Sequence, residues 1–440
     1  MIKKAAYSLG AVATALSYQS FSTYIVFFYV DVIKLNAGPV ALAMLVFGIW
    51  NAINDPIAGY VSDRTITPWG RRIPYIAAGA VPFGLVYFLL WTPPTAAGTL
   101  WLLIYFLLII CLFDLVYTVV ILNWAALFPE MFPSLSERAE VNSFRQTFGM
   151  LGLIFGVALP PLLYSTLGWG KMGLIFGSTI TLVMLVTLLG SGEKKEFRRG
   201  RPLGIRAAIA ATFTSRSFMI FVMSNLFIQY VFTIVLAVMP FYAKYVLGVG
   251  AAETSLMLLS TFLVAMIMMF MWRIPAVRYG AKNTYLAAIS FLALSLLPFF
   301  FVRSYTACLI ATALVGIGLA GIILISDILI SDVIDEDELR SGVRREGMFF
   351  GFNAFITRFA IGMEAASLGI VFILTAYDPH ILIQSATYIF GLRLLIAGLP
   401  FLALAAAFLI MIFYPLSGQR FIEMKNELKA LHDRKAGGQV

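Results

Sequence analysis

The run LWLLIYFLLIICLFDLVYTVVILNWAALF, residues 100–128, is 29 residues long and carries one formal charge, Asp114. A helix needs about 20 mostly apolar residues to cross a bilayer, and this run exceeds that without a polar break. Comparable runs recur at 5–30, 39–62, 74–91, 148–167, 172–189, 218–245, 256–272, 285–302, 305–331, 349–376 and 388–414. The composition agrees. With 61% hydrophobic and 12% charged residues, the chain lacks the side chains to cover a soluble surface of its size. The runs are continuous rather than alternating, so the spans are helices and not the strands of a barrel. The expectation is an all-α polytopic membrane protein with 12 transmembrane helices.

Basic residues set the orientation. The N-terminus, the loops after the even-numbered spans and the C-terminal tail together hold 24 of the 31 Lys and Arg. The opposite loops hold only Lys34, Lys171, Lys244 and Arg303. Positive charge marks the cytoplasmic side, so both termini are expected inside a plasma membrane. The net charge of +9 is thereby explained by topology, and no nucleic-acid partner is expected. The basic start Met1-Ile2-Lys3-Lys4 resembles a signal peptide, but the apolar run after it outlasts the usual length, so it reads as a first span. Cys111 and Cys308 both lie in apolar runs and suggest neither a disulfide nor a metal site.

The longest polar stretch between spans falls between the sixth and the seventh. It divides the chain into a bundle at 1–191, a cytoplasmic loop at 192–217, a bundle at 218–416 and a cytoplasmic tail at 417–440. Six plus six is the layout of duplicated transporters, whose substrate sites lie near mid-membrane. Tyr18 and Gln19 in span 1, and Asn225, Gln229 and Thr233 in span 7, put polar groups on one helical face. Helix-to-helix hydrogen bonding accounts for such faces equally well.

Charge at span depth is costly and usually has a partner and a task. Asp55, Asp114, Asp327, Arg358 and Glu364 lie at such depth. Asn51 and Asp55 are four residues apart on one helix face, with Asn54 beside them, and Asp114 and Thr118 repeat the spacing in span 4. Hard oxygen donors around a negative charge suit a proton or a desolvated alkali cation. Asp327 and Arg358, on neighbouring spans, are candidates for a buried charge pair. At the inner rim, Asp63, Arg64, Arg71, Arg72, Arg138, Asp332 and Asp335 carry opposite charges that could form a cytoplasmic gate. Exposed pairs are individually weak, which suits a gate that opens.

NAINDP in span 2, WGRRIP before span 3, NWAALFPEM closing span 4, ERAEVNSFR before span 5 and SDVIDEDELRSGVRREG after span 10 together resemble the glycoside–pentoside–hexuronide:cation symporters. That family, which includes the melibiose permease and a lysophospholipid-carrying branch, lies within the major facilitator superfamily. The resemblance implies two six-helix bundles, alternating access and coupling to Na⁺, H⁺ or Li⁺. Its cation site matches at Asn54, Asp55 and Thr118, and departs at Asn51, where sodium-coupled sugar members carry a second aspartate. Asp114 is a candidate to restore that charge. Arg145 matches an arginine near the sugar, and Arg358 matches a basic position on span 11.

The two sugar-binding aspartates of the family are replaced by Ala15 and Ile121, which disfavours a melibiose-like galactoside. The remaining cavity candidates are Tyr18, Gln19, Asn123, Trp124, Arg145 and Arg358. They suit another sugar or glycoside, a sugar acid or an amphipathic anion. The chain has no zinc-protease or Walker motif and no clustered histidines, so no enzyme and no cofactor is expected. The expected function is Na⁺- or H⁺-coupled symport of a small organic solute by a monomer. The alternative is cation-independent or lysolipid transport on the same fold.

Overall fold

A computed structural model of the chain describes residues 1–65, 67–132, 134–193, 215–341, 345–381 and 383–436. Among them every regular element is helical. The first half contains α1 (Ile2–Ser8), α2 (Gly10–Phe27), α3 (Ala37–Arg64), α4 (Ile73–Leu90), α5 (Thr99–Met131), α6 (Leu135–Leu167) and α7 (Trp169–Gly190). The second half contains α8 (Arg216–Tyr242), α9 (Ala251–Tyr279), α10 (Ala281–Leu296), α11 (Tyr305–Ser341), α12 (Glu346–Thr357), α13 (Phe359–Leu374), α14 (Ala386–Arg393) and α15 (Leu399–Ile412). A last helix, α16 (Gly418–Ala436), follows.

Eleven described helices are long and apolar enough to cross a membrane. The twelfth span is α2 with the π-helical turn Phe28–Val32, where Ser17, Gln19, Ser20, Ser22 and Thr23 dilute the apolar character. Several spans are interrupted, span 1 between α1 and α2 at Leu9 among them. Span 11 breaks between α12 and α13 at Arg358, and span 12 contains the π-helical turn Leu394–Gly398.

By contact the chain forms two compact units. One takes in the described residues of Met1–Arg201 together with Leu236–Leu259 and Glu364–Leu392. The other takes in those of Pro202–Val235, Ser260–Met363 and Arg393–Val440. In the first unit α4 and α7 cross closely because glycine faces glycine. A Cβ added at Gly84 would lie 2.2 Å from the Gly177 carbonyl oxygen, and one at Gly177 would lie 2.4 Å from that of Gly84. Small residues at a contact let backbones approach where lipid supplies no hydrophobic drive.

Several helices run further than their hydropathy predicts. Span 10 is expected to end at residue 331, with an acidic loop after it. Instead α11 continues to Ser341, and Asp332, Asp335, Glu336, Asp337 and Glu338 are helical and buried. The reason is α16, which packs Met424 and Leu428 inward and brings Lys425 to that face. The segment before span 5 is likewise helical, with Ser134 at its N-cap accepting from the Glu137 backbone N–H. Most of the central loop expected at 192–217, including Lys194, Lys195, Arg198, Arg199 and Arg201, lies outside the described residues.

Candidate functional site

Helices α3 and α5 bring together the five residues expected at the cation site. At span depth α3 offers one charged residue, Asp55, and α5 offers one, Asp114; neither brings a base. Asp114 is fully buried. The Asn51 side-chain amide donates to its Oδ1 at 2.5 Å, and the Asn54 amide donates at 3.0 Å to its Oδ2 and to its backbone oxygen. The Thr118 hydroxyl donates to Asp55 Oδ1 at 2.9 Å. Thus the amides serve Asp114, whereas the sequence alone places them around Asp55. The i, i+4 spacing on each helix is the cause: it turns Asn51 and Asp55, and Asp114 and Thr118, onto facing stripes. The site therefore holds two carboxylates, one from each helix.

The solute candidates divide between the two units. The Arg145 guanidinium lies over the rings of Trp124, at 4.6 Å, and Phe128, at 4.7 Å. Trp124 is fixed from both sides. Its indole N–H donates to the Tyr7 backbone oxygen at 3.0 Å, and the Tyr7 hydroxyl donates to the Trp124 oxygen at 2.9 Å. Among the described residues no carboxylate pairs with Arg145, whose buried Nε has no hydrogen-bond partner. Asn123 is buried and donates to the Val119 oxygen at 2.8 Å, and its Oδ1 has no partner. Tyr18 packs on Tyr117, centroids 5.3 Å apart, and Gln19 is half-buried. Arg358 belongs to the other unit and is half-buried at the break in span 11. There the Asn225 amide donates to Asn353 at 2.8 Å.

One expected grouping differs from the structure. Asp327 is exposed, and among the described residues its carboxylate makes no ion pair, so the Asp327–Arg358 pair is not formed. At the inner rim, several charges have partners inside their own unit. Arg71 and Arg72 both meet Glu130, at 2.6 and 3.1 Å. Glu193 accepts from the backbone N–H groups of Arg71, Arg72 and Ile73 at the start of α4. Lys425 meets Asp332 at 2.8 Å and Asp335 at 2.7 Å. Arg345 meets Asp337 at 2.6 Å. Arg64 lies over the Tyr60 ring, and Arg138 donates to the Phe132 oxygen. The Asp63 side chain lies outside the described residues. Sequence reasoning assigned no role to Glu130 or Tyr7, although Glu130 lies within the NWAALFPEM motif.

A family model described as MFS/sugar transport protein matches residues 6–418. The chain belongs to this family. It is therefore a multi-pass membrane transporter of small molecules, and not an enzyme. An uncharacterized symporter of Synechocystis is 33% identical over 211 residues, which span 46% of this chain and 38% of that protein. The isoprimeverose transporter of Lactiplantibacillus pentosus is 25% identical over 93% of this chain and 87% of its own. A putative sulfoquinovose importer of Escherichia coli is 27% identical over 97% of this chain and 93% of its own. Among solved structures, the nucleoside transporter NupG superposes with a TM-score of 0.68 at 15% identity, covering 94% of this chain and all of that one, and so shares the fold.

Proposed function

We propose that this family member is a secondary active symporter in the plasma membrane. Two six-helix bundles, 1–191 and 218–416, would alternate access around a central solute site, with the 192–217 loop and both termini cytoplasmic. Na⁺ or H⁺ is the coupling ion, bound by Asn51, Asn54, Asp55, Asp114 and Thr118. The observation that carries this is the meeting of two acids from α3 and α5 at span depth, held by amides and a hydroxyl. A charge there is expensive unless it has a task, and an exchangeable cation supplies one.

The solute is a sugar, glycoside or related organic molecule. Arg145, placed over two aromatic rings and without an acidic partner among the described residues, favours a solute with an anionic or strongly hydrogen-bonding group. A sulfonated sugar, as in the name of the sulfoquinovose relative, has that chemistry. The test is a thermal-shift screen of the purified chain against isoprimeverose, sulfoquinovose and lysophosphatidylcholine, in Na⁺ and in K⁺ at two pH values. A ligand of the folded state raises the Tm by mass action. Stabilisation by a sugar or sugar sulfonate that strengthens with Na⁺ or acid supports symport. Stabilisation by the lysolipid alone, indifferent to both ions, favours the alternative.

A further inference from the structure

At the end of the first unit away from the N-terminus, one buried acid gathers donors from the end of span 7 and from the segment just after span 11. Asp31 is 2% exposed and lies on the π-helical turn Phe28–Val32 that ends span 1. Lys244 Nζ meets its Oδ2 at 2.5 Å, and the Tyr377 hydroxyl donates to its Oδ1 at 2.8 Å. The Tyr245 hydroxyl also donates to Oδ1. Lys244 and Tyr245 lie on a second π-helical turn, Ala243–Leu247, which ends span 7. Spans 1 and 7 open the two halves of the chain, so equivalent helices carry the same local distortion and present opposite charges. A π turn takes one more residue than an α turn and re-aims the side chains on it, and such turns concentrate at functional sites.

A second layer lies one turn further in along each element. Phe27 meets Phe241 edge-on, centroids 5.1 Å apart, and Phe241 meets Phe372 at 5.1 Å. Nearby, Lys34 donates to the Pro379 oxygen, and Tyr377 stacks on Tyr388 at 4.6 Å. Aromatic rings exclude water and the ionic cluster outside them holds the ends together. On separation water takes over every donor and acceptor of the cluster, so the contact is reversible in a way a wholly apolar one is not.

We infer that Asp31, with Lys244, Tyr245 and Tyr377, is a clasp that shuts the solute route at the end away from the termini and must break in each transport cycle. The inference rests on the alternating-access reading above. Its test needs no solute, so failure of the symport assignment leaves it readable. Cys111 and Cys308 are first replaced by serine, and Thr23, buried about two turns inward of Asp31, by cysteine. Reaction with a membrane-impermeant maleimide is timed in right-side-out and inside-out vesicles. In the parent the thiol is protected from the face that bears Asp31. Asp31→Asn, which keeps the shape and removes the charge, should speed labelling from that face about tenfold, the size of a typical conformational coupling. Exchanging the charges with Asp31→Lys and Lys244→Asp should restore protection. An unchanged rate in folded, monodisperse Asp31→Asn would overturn the clasp, as would equal acceleration from both faces.

Discussion

Asp114 and Asp332 are both buried acids on long spanning helices, yet their partners differ in kind. Asp114 on α5 is held by the neutral amides of Asn51 and Asn54, with a second acid, Asp55, on the facing stripe. Asp332 and its neighbours on α11 meet fixed cations: Lys425 for Asp332 and Asp335, Arg340 and Arg420 for Glu336, and Arg345 for Asp337. A carboxylate closed by a tethered ammonium is structural, because exchanging that partner means moving a helix. One cradled by dipoles keeps a net charge that a mobile cation can neutralise. On the proposed symport reading, coupling belongs to the α3–α5 site and anchoring to the α11–α16 site.

Asp114→Ala breaks the comparison most severely. It removes the acceptor for two buried amides, which costs about 1–3 kcal/mol for each group left unsatisfied. It should also lower cation-driven accumulation by about a hundredfold, the equivalent of two lost decades of coupling. Chemical denaturation and vesicle uptake read the two effects separately. An unaltered ion dependence in Asp114→Ala would return the site to Asp55 alone.

Lys425→Ala sharpens it from the other side with a smaller effect. Burial lowers the Lys425 pKa, but hydrogen bonds and charge from Asp332 and Asp335 outweigh that, and the net shift is upward. Folded above unfolded means that this stabilisation is complete below the ordinary lysine value and is lost only as pH rises through the raised one. At neutral pH the substitution should cost about 1–2 kcal/mol, the discounted part of a buried pair's range, since the side chain is 37% exposed. The dependence of uptake on Na⁺ and on acid should stay as in the parent. A changed ion preference would mean that the α11 acids take part in coupling.

The spanning helices were legible because hydropathy is a local property and the lipid constraint is severe, as residues 100–128 illustrate. Asn51, Asn54, Asp55, Asp114 and Thr118 were legible because i, i+4 spacing fixes a face. What the spacing did not show is which carboxylate the amides serve, since that depends on how α3 and α5 face each other. The Asp332–Glu338 segment read as an exposed loop because its charges are dense; the burial comes from α16, about ninety residues later. Lys244 read as a loop charge, and no motif or spacing marked Asp31. Each has its partner 213 residues away, and the π turns that aim them leave no mark in composition.

The most direct measurement is uptake into proteoliposomes of the solute that stabilises the protein in the thermal-shift screen. It is run with an inward Na⁺ gradient, an inward proton gradient or neither, for the parent chain and for Asp55→Asn. The parent should accumulate solute above equilibrium with at least one gradient and only equilibrate without. Asp55→Asn should equilibrate under every condition while still exchanging solute, because its solute groups are intact. Full gradient-driven accumulation by Asp55→Asn would contradict the account.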